Sequence, residues 1–369
     1  MVEASMNNIL LQQRATTALR NLFVADALAM PVHWFYKPLD IDAAFPGGIR
    51  QFEDAPRFHP SSIMALHSTA QGGRGPQSQG RQQVEIVGDV ILRGKREYWG
   101  LPNGHYHQGM RAGENTLNAH CARVLMRCLN AHQHRYDKEQ WLDAYIAFMT
   151  AYPPMHPDTY AESYHRGFFA KLQQGQPKTR CGALTHDTAS IGGLVTIAPL
   201  YFALRLQGMP LDQIQAVVRE HLFLTHPDES LARVCASYVT LLEQLLLRDE
   251  GQDPMPLLAA CGRAVGIDLK GLLATGRGDR DIVGHLFSSA CYISDAWPSV
   301  LYLAAKYWQE PTAGLLANAN VGGDNVHRGA VLGVLFGLCN PSVPAGAFTA
   351  LWDAPILLQE ITELVRNSP

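Results

Sequence analysis

The sequence predicts an all-α protein folded as one large domain. Apolar residues recur at helical spacing through most of the chain, alternating β-branched runs are few, and no fixed-period repeat or coiled-coil heptad divides the 369 residues. Length alone would allow about two to three domains of ~150 residues, a soft bound that single large architectures exceed. We take 1–369 as a single domain.

The elements follow in order. Residues 8–30 set Leu10, Leu11, Ala15, Ala18, Leu19, Leu22, Phe23 and Ala27 on one broad face, and Pro31 ends that helix. Residues 114–133, 138–151, 159–173, 211–224, 228–248, 254–265, 279–290, 297–308, 326–338 and 355–366 read the same way, with Gly and Pro separating many of them. The best strand candidate is VEIVGDVIL at 84–92, as one short hairpin. Residues 38–108 are the exception. They are rich in Gly, Pro and Gln and too long for an ordinary connection, which makes them either a floppy insertion or a lid facing a substrate.

Composition sets bounds on function. With 47% hydrophobic and 17% charged residues the chain buries much of itself, and a net charge of −3 gives no global field for nucleic acid or an anionic membrane. No apolar run approaches the ~18 residues of a membrane span, and the first residues lack the pattern of a signal peptide. Seven dispersed cysteines without a CxxC pair fit reduced thiols, so a cytoplasmic location is expected.

Several segments carry chemistry. In NANVGGDNVHRGAVLGVLFGL (318–338), Gly322 and Gly323 permit a tight turn, and Asp324, Asn325 and His327 follow at a helix start. Gly329, Gly333 and Gly337 then recur every four residues. Each interior glycine costs a helix ~1 kcal/mol relative to alanine, so something must pack very closely on that face. In GENT, Glu114, Asn115 and Thr116 place oxygen-bearing side chains at a second helix start, as caps or as oxygen ligands for a hard cation such as Mg²⁺. Asp26 interrupts the first apolar helix, either satisfied by a nearby helix end or facing a ligand, and His33 and Trp34 follow its break. Ser190, Gly192 and Gly193 form a small-residue turn that could meet a diphosphate or ribose through backbone N–H groups, or simply allow close packing. Asp228 reads as a helix cap, with His226 as a possible ligand contact. His105 and His107 make an HxH without the second pair a zinc site needs.

Together these segments resemble the ADP-ribosylglycohydrolase superfamily, which spans dinitrogenase reductase-activating glycohydrolases, ADP-ribosylarginine hydrolases and J1 crystallins. VADALAMPVHW is similar to its GDALGxPxE segment, GENT stands at its TDDT segment, and SIGGLVTIAPL, THPDESLARVCASY and ANVGGDNVHRGAVLGVLFG match its later segments in order. The resemblance implies an all-α single domain of orthogonal helices, with a binuclear Mg²⁺ site below a cleft for ADP-ribose, and cleavage of a glycosidic bond at C1″. Carried over position by position, it implies catalytic roles for Glu114, Asp324 and His327. It implies substrate contacts at Asp26, His33, Ser190, Gly192, Gly193, Gly322 and Gly323, and metal ligation among Glu114, Asn115, Thr116, Asp324, Asn325 and His327. The motif positions depart from the family's, retaining carboxylates at Glu114 and Asp324 alone, with Val326 unable to ligate and His33 where an acid is common. Close Mg²⁺ ions need more negative charge than that. Two outcomes stay open: a single divalent ion (Mg²⁺, Mn²⁺ or another), or no metal. The expected partner is an ADP-ribose-containing small molecule or an ADP-ribosylated protein. The alternative is a non-catalytic ADP-ribose-binding or crystallin-like structural relative.

Overall fold

The computed structural model describes residues 2–70, 72–74, 84–341 and 345–366. The helices are α1 (Val2–Ala29), α2 (Pro38–Ala44), α3 (Leu117–Ala131), α4 (Lys138–Met149), α5 (Ser163–Gln173), α6 (Ile197–Leu206), α7 (Leu211–Phe223), α8 (Glu229–Leu247), α9 (Met255–Ala264), α10 (Leu269–Ala274), α11 (Asp279–Ile282), α12 (Ile293–Tyr307), α13 (Pro311–Asn320), α14 (Asn325–Cys339), α15 (Ala345–Thr349) and α16 (Ala354–Val365). Among the described residues the only β pairing is isolated bridges. Local chemistry sets many helix starts. Asp137, Asp228 and Asp268 each accept a backbone N–H three residues on, and Pro38 and Pro311 open α2 and α13.

The centre of the fold is the pair α1 and α14, and the glycine ladder is its cause. A Cβ at Gly329 would meet Ala25, one at Gly333 would lie 2.5 Å from the Asn21 carbonyl oxygen, and one at Gly337 would lie 2.5 Å from the Ala18 Cα. The partner number falls as the glycine number rises, so the two helices run antiparallel with their backbones nearly touching. Every residue of α14 is buried. Helices α12, α13, α8 and the turn Ile191–Leu194 pack against α14, while α13, α15, α16 and α6 pack against α1.

Three expectations change. Residues 84–92 form no strand: Ile86–Val90 wrap into a turn with Gly88 at φ 99°, the Ile91 N–H reaching back to the Ile86 carbonyl. The apolar residues of that segment are buried by the turn rather than by alternation. The helix expected over 279–290 stops at Ile282, because Gly284 at φ 123° closes a turn onto Phe287. Helices α6 and α13 are unremarked by periodicity: α6 is buried along most of its length, and the less buried side of α13 carries Ala313, Leu316 and Ala317, so no polar face marks either.

The described part of 38–108 is a folded wrap, with Ile41, Ile49, Met64, Trp99 and Tyr106 buried. Its Gly/Gln-rich stretch 75–83 lies outside the described residues.

Candidate active site

The site is built where the chain leaving α1 crosses the turn entering α14. Gly322 and Gly323 adopt φ of 72° and 66°, and a Cβ on either would fall about 2 Å from a carbonyl oxygen, that of Phe35 or Ser289. The Trp34 N–H donates to the Gly323 carbonyl at 2.7 Å, and the Gly323 N–H donates to the Phe35 carbonyl at 2.8 Å. Trp34 itself takes a left-handed φ of 60°, an unusual conformation that turns the chain along the glycines. Arg328, buried, donates to Asn318 Oδ1 at 2.8 Å and to the Gly322 carbonyl at 2.7 Å, fixing the turn from behind. The result presses His33 against Asp324.

A buried chain of imidazoles and carboxylates follows. Asp158 Oδ1 lies 2.8 Å from His107 Nδ1, His107 Nε2 lies 2.7 Å from His33 Nδ1, and His33 Nε2 lies 2.8 Å from Asp324 Oδ1. Beyond it, His327 Nδ1 lies 2.7 Å from the same Asp324 oxygen and His327 Nε2 lies 3.3 Å from Glu162 Oε1. Asp158–His107, His107–His33 and His33–Asp324 each need one proton between their two atoms, and the tautomers of His107 and His33 decide which ring nitrogen carries it.

Burial raises the cost of charge on Asp158 and Asp324, but the adjacent imidazoles outweigh it and hold both well below the usual carboxylate range. Burial pushes His33 well down. At His327 burial opposes the charged form, yet Asp324 and Glu162 win and raise it to about 10. Glu162 goes the other way: burial pushes it up to about 7, with the His327 charge partly opposing.

Glu162 is held in place from α3. Asn118 Oδ1 accepts from the Tyr164 hydroxyl at 2.8 Å and contacts His165 Nε2 at 3.0 Å, so its Nδ2 faces Glu162 Oε1 at 2.6 Å. Gly192 supplies the space, because a Cβ there would lie 3.0 Å from Glu162 Oε2. Glu162 also lines a cavity of about 340 Å³ walled by Trp34, Tyr36, Tyr106, Tyr160 and Tyr292, with Asp187 and Arg74 at its edge. Trp34 stacks on His33, ring centroids 3.6 Å apart. The aromatic cleft thus meets the charged chain at Glu162 and Trp34. Ser61, Ile63, His67 and Arg74, from the 38–108 wrap, line the same cleft.

The expected residues divide. Asp324, His327 and His33 converge. Glu114 does not join them: it is half-buried, and its carboxylate accepts the Arg111 N–H at 2.8 Å, closing its own loop. Asn115 and Thr116 are taken up by Asp26, which accepts from Asn115 Nδ2 at 3.0 Å and from the Thr116 hydroxyl at 2.6 Å. Asp26 thereby ties α1 to the start of α3. Asn325 donates to the carbonyls of Val32 and Ala319. The N–H of Gly323 is bonded to Phe35 and that of Gly193 to Ser190, at 3.2 Å, so neither is open to a diphosphate. Ser190 is buried, its hydroxyl has no partner among the described residues, and its backbone bridges Tyr292.

Sequence reasoning missed Glu162, Asp158 and His107 as site members. Glu162 and Asp158 carry no motif, and Glu162 fell inside an expected helix; the HxH at 105–107 was the one visible signal. His105 and His59 have backbone duties, contacting the carbonyls of Pro31 and His33.

The comparisons now bear on this geometry. The sequence profile of the ADP-ribosylglycohydrolase family matches residues 7–351, and the chain belongs to that family. A solved structure described as an ADP-ribosylglycohydrolase-related protein complex superposes with a TM-score of 0.57, covering 97% of this chain and 99% of that one at 18% identity; it is alike in fold. No curated protein matches the sequence. The family is one of glycohydrolases that typically use divalent metals.

The residues here do not fit a pair of Mg²⁺ ions. Asp324 is the one carboxylate the two metal motifs bring to the centre, Asn115 and Thr116 are bonded to Asp26, and Val326 has no donor. His33, Asp324 and His327 do have ligand atoms within 4.8 Å of one another, a spacing that could hold one ion, and its two imidazoles suit a transition metal better than Mg²⁺.

Proposed function

We propose that the protein hydrolyses a glycosidic bond of ADP-ribose or a related nucleotide-ribose, and that protons rather than paired Mg²⁺ ions carry the reaction. The observation that carries this reading is Glu162: a carboxyl 12% exposed on the wall of an aromatic cleft, raised to about 7 by desolvation, with His327 beside it. A general acid–base group works best with a pKa near the operating pH. The aromatic walls suit a nucleotide-ribose, since an adenine base stacks on such rings. Protonated Glu162 gives its proton to the leaving atom as the bond to C1″ breaks. The carboxylate then takes a proton from the water that adds to C1″. The His327 imidazolium offsets the charge left on Glu162 between these events. Asp324 orients His327 and His33, and Asp158 with His107 fixes the far end of the chain.

The test is release of free ADP-ribose from compounds bearing arginine, serine or phosphate at C1″, assayed in EDTA. Turnover in EDTA that is lost in Glu162→Gln supports the reading. Turnover that appears only with added Mn²⁺ moves the chemistry to an ion at His33, Asp324 and His327. Tight binding of ADP-ribose without turnover under either condition supports a non-catalytic relative.

A further inference from the structure

A second cavity lies on the other side of α1 from the imidazole chain, and the site described above makes no use of it. It encloses about 250 Å³ between α1, α13 and the segment around α15. Val24 and Leu28 of α1, Leu315 of α13 and Phe52 of the 38–108 wrap give it apolar walls. That is more room than the ~150 Å³ apolar cavity known to admit benzene.

Two polar groups stand in this lining. Asn21 is 2% exposed, and among the described residues its Nδ2 has no hydrogen-bond acceptor. A buried amide left unbonded is costly, and such groups are rare in folded proteins. At the rim Arg50 is exposed, and among the described residues its guanidinium has no carboxylate against it. An apolar chamber with a hydrogen-bonding amide inside and a free guanidinium at its mouth has the features of a site for one kind of molecule.

We propose that this cavity binds a small apolar carboxylic acid. The carboxylate pairs with Arg50 at the rim, where the planar guanidinium can take both oxygens. The body fills the space between Val24, Leu28, Phe52 and Leu315. A polar atom at the far end meets the Asn21 amide.

The probes are 3-(4-hydroxyphenyl)propionate, 3-phenylpropionate and 3-phenylpropanol, titrated calorimetrically into the full chain. The hydroxy acid should bind most tightly and the alcohol most weakly. Arg50→Gln, at an exposed position, should remove the preference for acid over alcohol, weakening the acids about tenfold or more. Asn21→Leu, close in volume, should remove the preference for the hydroxy acid over 3-phenylpropionate while leaving 3-phenylpropionate bound. Leu315→Trp should block all three, and circular dichroism would establish that each variant is folded. No heat from either acid at millimolar concentration, or acid binding unchanged in Arg50→Gln, overturns the proposal.

Discussion

Gly333→Ala tests the centre of the fold with one methyl group. On an exposed helix this substitution would stabilise by ~1 kcal/mol. Here the new Cβ would lie 2.5 Å from the Asn21 carbonyl oxygen, 2.8 Å from its carbon and 3.2 Å from the Ala25 Cβ, against an ordinary contact of 3.4–4 Å. The shortfall is close to 1 Å, and the obstructing atoms are backbone of a long helix, so no side-chain rotation relieves it. Overpacking of this kind costs ~1–3 kcal/mol and here should exceed the helix-propensity gain. A contact short by almost 1 Å on backbone takes the upper part of that range, about 2–3 kcal/mol, so the expected net loss is about 1–2 kcal/mol, or a fall of about 2 °C or more in Tm for a chain of this size. The urea midpoint and Tm should both drop, while Gly346→Ala, where a Cβ meets nothing within 4 Å, should leave them unchanged or raise them. An unchanged or higher midpoint in Gly333→Ala would refute the backbone-to-backbone contact of α1 and α14.

Other expectations concern the charged chain. Asp324→Asn removes the shared partner of His33 and His327 and should cost about 3–5 kcal/mol in chemical denaturation, as breaking a buried ion pair does. His327 is raised from 6.5 to about 10, so its contribution to stability is full below pH 6.5 and drains as pH rises through 10. Tm measured from pH 6 to 10.5 should therefore fall, and His327→Gln should flatten that slope. Glu162→Gln should abolish turnover while the protein stays folded, and the wild-type rate should lose its acid-requiring form as pH rises through about 7. Added Mg²⁺ should leave Tm unchanged; a rise of several degrees would show that the motif oxygens do gather an ion.

Much of the fold was legible because its causes are local. Helical spacing, aspartate caps and helix-opening prolines are written in neighbouring residues. The glycines at 329, 333 and 337 announced a close partner, although the sequence could not say that the partner is α1. Helix α6 escaped because a segment buried on most sides shows no polar stripe, and α13 because its less buried side is largely alanine and leucine. The strand expected at 84–92 failed at Gly88, whose positive φ turns the chain back on itself.

The site was legible in part and for a similar reason. Asp324 and His327 are one helical turn apart, so sequence spacing puts them together, and the resemblance of motifs brought His33 to the same place. Glu162 reaches His327 across 165 residues and Asp158 reaches His107 across 51, both from a segment with no motif. By itself the sequence determined the helical fold, the family and the glycine turn that carries Asp324. Only the tertiary structure decided which carboxylates face which imidazoles. It put Glu162, not Glu114, beside His327, because Glu114 is bonded within its own loop whereas Asn118 and Gly192 bring Glu162 into the space next to the ring. Charges that set one another's protonation must lie within a few ångströms, and spacing along the chain fixes such distances only for near neighbours.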